Sequence, residues 1–200
     1  MSATDPTTAT GDTHRTERGP GTGIYLAFVP WVLFSLITQH DTLKAATVVA
    51  LIAAVLIAAP AVLAGRPRML ELGAVVAFVG FTIAAFVVDP ATTHWLARYA
   101  RAIAALLLAV TAFLSLLFVP FTEQYARESV PENFWSTPRF KQVNRQLTVM
   151  WGCVFLAMMV SHIAAGAIDT RRGNTIFNWV IPIILIIWAV KHTGEISEAA

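Results

Sequence analysis

Residues 45–64 read AATVVALIAAVLIAAPAVLA, twenty positions without one charged side chain. A helix rises about 1.5 Å per residue and the hydrocarbon core of a bilayer is about 30 Å thick, so this run is long enough to cross it. The run is rich in alanine and leucine and does not alternate apolar with polar, which argues for a helix rather than a barrel strand. It is followed by a tight charged turn, Gly65-Arg66-Pro67-Arg68, and then by another apolar run.

Working outward, apolar runs occupy residues 24–39, 45–64, 69–88, 97–119, 147–168 and 176–190. The expected fold is therefore all-α, a polytopic transmembrane helix bundle of six helices. Five is the alternative count, because the first and last runs are short for a full crossing. Composition agrees: 56% of residues are apolar and 13% charged, against about 25% charged in an ordinary soluble protein. The mean hydropathy is +0.65. A net charge of +2 without a dense basic cluster excludes a nucleic-acid footprint. A single cysteine, Cys153, excludes an internal disulfide and a thiolate metal cage.

Residues 1–22 hold almost no large apolar side chain and read as a disordered cytoplasmic tail without the pattern of a secretory signal. The transmembrane domain is expected over residues 23–191, with a cytoplasmic connection at 120–146 and a short tail at 192–200. Lys and Arg set the orientation. Arg15, Arg18, Arg66, Arg68, Arg127, Arg139, Lys141, Arg145 and Lys191 fall on one side; Lys44, Arg98, Arg101, Arg171 and Arg172 fall on the other. The richer side is read as cytoplasmic, with both termini inside and the protein in a bacterial cytoplasmic (inner) membrane.

Helices in lipid associate by close packing rather than hydrophobic burial. Ala46, Ala50, Ala54 and Ala58, four apart, form a small-residue stripe suited to such packing, and Ala157, Ser161 and Ala165 repeat the spacing later. The central turns of the six runs carry no Asp, Glu, Lys or Arg, which speaks against a proton-coupled pump or an intramembrane protease. Arg98 and Arg101 stand at the outer start of the fourth run, and Glu71 reaches back toward Arg68. His162 is the deepest titratable group. With Met158 and Met159 on its face it is a weak candidate for copper, the plainer reading being a hydrogen-bonded polar residue. His40, Asp41, Asp89, His94 and Asp169 gather near the outer surface without diagnostic metal spacing. No cofactor is expected. Pro182, beside Asn178 and Trp179, marks a bend in the last run.

The connection is the densest local signal. Residues 120–128 suit a short helix with Glu123 and Arg127 paired one turn apart. Thr137-Pro138 then supplies an N-cap and a first-turn proline. A helix starting there runs into the fifth span, with Phe140, Val143 and Leu147 on one face and Lys141 and Arg145 on another. Phe134, Trp135, Arg139, Lys141, Asn144 and Arg145 are the candidate interaction residues, facing anionic headgroups or a partner.

This layout resembles the intracellular septation protein A family. The likeness covers residues 24–190 as architecture: an early proline in Phe28-Val29-Pro30-Trp31, a charged turn after the second helix, and a polar connection leading through Trp135 and Asn144 to Trp151. A last helix with an early Asn178 completes it. The resemblance implies a non-enzymatic role in cell-envelope maintenance or septation, through envelope-synthesis membrane proteins. The residues themselves suit a structural or interaction component, alone or as a homo-oligomer. The alternative is a small-solute transporter or permease without charged intramembrane residues, using the Pro182 bend, Asn178, Ser115 and Thr111. An enzyme acting on lipid headgroups would need His, Asp and Arg to converge at one surface.

Overall fold

The computed structural model describes residues 22–40 and 42–198; the expected disordered tail lies outside them, except for Thr22. Among the described residues every regular element is helical. In chain order these are α1 (Thr22–His40), α2 (Leu43–Leu63), α3 (Met69–Val87), α4 (Pro90–Ser115), the short α5 (Phe121–Ala126), α6 (Pro138–Ile168) and α7 (Arg171–Glu198). Helices α2, α3, α4, α6 and α7 are long and apolar enough to cross a membrane, while the apolar part of α1, Gly23–Gln39, is shorter.

The helix ends follow local chemistry. Thr42 accepts from the Ala45 amide at 3.3 Å, and Thr137 accepts from the Phe140 amide at 3.3 Å with Pro138 at the first helical position. Asp89 accepts from the amides of Ala91 and Thr92 at 3.0 and 3.1 Å and from the Thr92 hydroxyl at 2.6 Å. Those bonds, the hydroxyl's first, hold its carboxyl below the usual aspartate range. Asp89-Pro90 is thus the start signal of α4, and the helix begins seven residues before the apolar run at Ala97. At the far end of α6, Asp169 adopts the left-handed conformation (φ 48°), which Asp tolerates better than most side chains. Thr170 then caps the next helix through the Gly173 amide at 3.1 Å.

Helix α7 also outruns its apolar stretch in both directions, reaching from Arg171 to Glu198, so residues 192–198 of the expected short tail continue the helix. A wider π-turn over Ile176–Val180 ends two residues before Pro182, where the proline ring would otherwise collide with the preceding turn.

Successive long helices pack side by side from α1 through α2, α3, α4 and α6 to α7, and α5 rests on α6. The small-residue logic is visible on α2. Ala46, Ala50, Ala54 and Ala58 are buried, while Val49, Ile52, Val55 and Leu56 face outward. Aromatic rings fill the wider gap between α1 and α3, where Trp31 and Phe34 meet Phe78 at 4.8 and 5.4 Å. Ala54→Leu adds three carbons to the tightest face of α2. Overpacking of this kind costs about 1–3 kcal/mol, so a lower yield of folded protein on size-exclusion chromatography is expected. Undiminished yield would show that the stripe does not set the helix spacing.

Candidate functional site

Helices α1 and α7 stand on either side of a groove floored by α4 and α6. Its cavity holds about 1150 Å³. The walls are mainly apolar, with Ala104, Ala105 and Leu108 from α4, Phe155 and Met158 from α6, and Ile183 and Ile186 from α7. His162 and Asn144 both line it and lie eighteen positions apart on α6. At 1.5 Å per residue the groove therefore runs about 27 Å, close to the full hydrocarbon thickness.

Polar groups cluster at its two ends. At the first, the Nδ1–H of His162 donates to Oδ1 of Asn178 at 2.6 Å, and the Asn178 amide donates to Asn174 at 2.6 Å. Ser161 donates to the carbonyl of Phe177 at 2.6 Å, so α6 grips α7 through its π-turn. Arg101 donates from Nη2 to the carbonyl of Ser35 at 2.7 Å and lies 5.7 Å from the Trp179 ring. A second, polar recess of about 650 Å³ adjoins this end and shares Arg101 and Asn178 with the groove. His94, Arg98, Asp169 and Arg171 also line the recess, and Arg98 pairs with Asp169 at 2.5 Å.

At the other end the expected connection is folded against the bundle. Thr122 donates to the carbonyl of Asn144 at 2.7 Å and meets the Thr148 hydroxyl at 2.9 Å. The Met69 amide donates to Gln124 at 2.8 Å, tying α5 to the start of α3. Two buried carboxylates, Glu71 and Glu123, take cations from the rim. Arg68 reaches Glu71 at 2.8 Å and also pairs with Glu128, while Arg127 reaches Glu123 at 2.6 Å. Arg68 also covers the Tyr125 ring at 5.0 Å and Arg127 the Trp135 ring at 5.1 Å. Burial, with Glu71 nearby, pushes the Tyr125 phenol well above its usual range.

The structure separates the residues singled out from sequence. Ala46, Ala50, Ala54 and Ala58 are buried in α2, and none of them lines the groove. Asn144 is buried and donates to the Phe140 carbonyl at 2.9 Å, whereas Lys141 and Arg145 are exposed. Phe134 and Arg139 are exposed and line the groove toward its α5 end; Trp135 donates to the Val130 carbonyl at 2.8 Å. Met158 and His162 line the same groove. Of the outer polar set, Asp89 caps α4 and Asp169 binds Arg98, Asp41 lies outside the described residues, and no three His, Cys, Asp or Glu among those described converge as a metal would require.

No protein-family model, curated protein or solved structure matches this chain.

Arg101 is the residue whose place differs most from the sequence reading. The apolar run beginning at Ala97 puts it at an outer helix start, but in a helix that begins at Pro90 it lies near the middle of α4. The capping pair Asp89-Pro90 is the signal that locates it.

Proposed function

We propose that this chain is a non-enzymatic integral membrane protein that accommodates the hydrocarbon chain of a lipid in the groove between α1 and α7. One observation carries the reading: an apolar cavity about as long as the hydrocarbon core is thick. A polar solute entering it would lose its water without finding replacement hydrogen bonds along most of the wall. The walls therefore favour lipid over the solute of a permease.

In this proposal the chain crosses six times. Helix α1 has 19 residues, about 28 Å of rise, enough for the sixth crossing. The Lys and Arg count places the α5 side and both termini in the cytoplasm and the polar recess on the opposite face of a cytoplasmic membrane. The role is that of a structural or interaction component; the septation-family resemblance rests on architecture and adds nothing to the lipid reading.

The test is lipid content. Protein purified in mild detergent should retain lipid visible by native mass spectrometry. Ile183→Trp places a ring in the groove from the half-exposed face of α7. It should lower that content severalfold with little change in melting temperature. Wild-type protein free of lipid, or a variant equally loaded, would overturn the proposal.

A further inference from the structure

The first end of the groove offers hydrogen-bond donors that nothing accepts. Arg101 uses one guanidinium nitrogen on the Ser35 carbonyl, but its Nε is buried without a partner. Among the described residues no carboxylate pairs with Arg101, although Arg98, one turn earlier on the same helix, has Asp169. The indole Nε1 of Trp31 and that of Trp179 are likewise buried without an acceptor, and both side chains line the same groove. Trp31 is only 5% exposed. It lies one helical turn from Ser35, whose carbonyl Arg101 holds, and Trp179 lies under the guanidinium. Three N–H donors on α1, α4 and α7 thus belong to side chains that line one groove, and none has an acceptor among the described residues.

A buried donor left unsatisfied is expensive, and an uncompensated cation within a bilayer more so. The group that fits has to bring several acceptor oxygens and a negative charge. It has to continue into an apolar tail, because the groove below these donors is hydrocarbon in character. It also has to reach water at the donor level, and the polar recess that shares Arg101 and Asn178 supplies that access.

We propose that this end of the groove is a headgroup seat for an anionic phospholipid. A phosphate oxygen accepts from the free guanidinium edge of Arg101, with the indole of Trp179 under it as the neighbouring donor. The remainder of the headgroup occupies the recess beside Arg98, Arg171 and Asn174, and one chain descends between α1 and α7. This rests on the lipid-holding reading and adds headgroup selectivity to it. Arg suits the role because its planar fork binds phosphate oxygens while one nitrogen stays on the Ser35 carbonyl.

The experiment uses the full chain reconstituted in vesicles of equal dioleoylphosphatidylglycerol and dioleoylphosphatidylcholine, extracted into detergent, with bound lipid identified by native mass spectrometry. Wild-type protein should carry the glycerol lipid over the choline lipid by about tenfold: both bring the phosphate, but only the choline lipid sets a cation against Arg101 and Arg171 in the recess, and about 1.4 kcal/mol of such repulsion is a factor of ten. Arg101→Gln should keep the total lipid and lose the preference, and Arg101→Lys should keep part of it. Arg171→Gln removes a recess cation from an exposed position; it should reduce the preference and decides the matter if Arg101→Gln does not fold. Lipid bound without preference in the wild type, or preference undiminished in the variants, overturns the headgroup seat and leaves the lipid-holding reading standing. Wild type that binds neither lipid overturns both. Displacement of the bound lipid by inorganic phosphate at comparable concentration overturns the assignment to a lipid.

Discussion

Arg68→Met should lower the unfolding midpoint in detergent by roughly 10 °C, the shift that about 3 kcal/mol produces in a chain of this size. Arg68 is the cation for two carboxylates. Glu71 is 3% exposed and has one oxygen already without a partner, whereas Glu128 is more accessible. Removing the guanidinium leaves the Glu71 charge buried and uncompensated, the situation in which a broken ion pair costs most. It also strips the cover from the Tyr125 ring and loosens the connection from α3. Arg66→Met, two residues away on the exposed turn, should change the midpoint little. Adding Glu71→Leu to Arg68→Met should recover much of the loss, because it removes the stranded charge while keeping side-chain volume. A midpoint unmoved by Arg68→Met would mean that water, and not Arg68, compensates Glu71.

Much of this architecture is legible in the sequence because a bilayer leaves few choices. Every position facing lipid has to be apolar, so the long helices announce themselves, and small residues such as Ala50 and Ala54 repeat where one helix closes on another. Caps are legible for the same local reason: Thr137 and Pro138 specify the start of α6 within four residues. The short helix after Pro120 and its Glu123–Arg127 pair, one turn apart, are equally local.

The groove is a different kind of fact. It depends on which helices become neighbours, and no run of residues encodes that α1 and α7 stand apart over α4 and α6. The His162–Asn178 bond and the Arg101–Ser35 bond join residues on separate helices, so each partner alone reads as an isolated polar residue in an apolar run. Apolar runs also mislead about helix ends. Hydropathy marks where lipid contact begins, whereas hydrogen bonding marks where the helix begins. On α4 these differ by seven residues, enough to move Arg101 from a rim to mid-helix.

Gly152→Leu should abolish most folded protein, because α4 packs against α6 more extensively than any other pair of helices among the described residues. On α4 that seam is lined by Ala109 and Ala112, both fully buried, and on α6 by Gly152 and Gly166. A Cβ placed on Gly152 would sit 2.7 Å from the Phe113 ring, and one on Gly166 would sit 2.6 Å from Tyr99. Both are far inside van der Waals contact, so even alanine forces a ring to move. Leucine adds three further carbons, and the helices have to separate along a seam whose attraction is dispersion at short range. The expected penalty is at or above the upper end of ordinary overpacking, about 3 kcal/mol. The second half of the experiment identifies the cause: Phe113→Ala combined with Gly152→Leu removes the ring that the new side chain strikes. If sterics at this seam are responsible, the double variant recovers folded yield and a higher melting midpoint than Gly152→Leu alone, a coupling that independent sites would not show. Additive losses would place the sensitivity of Gly152 in the backbone of α6 and remove Phe113 from the account.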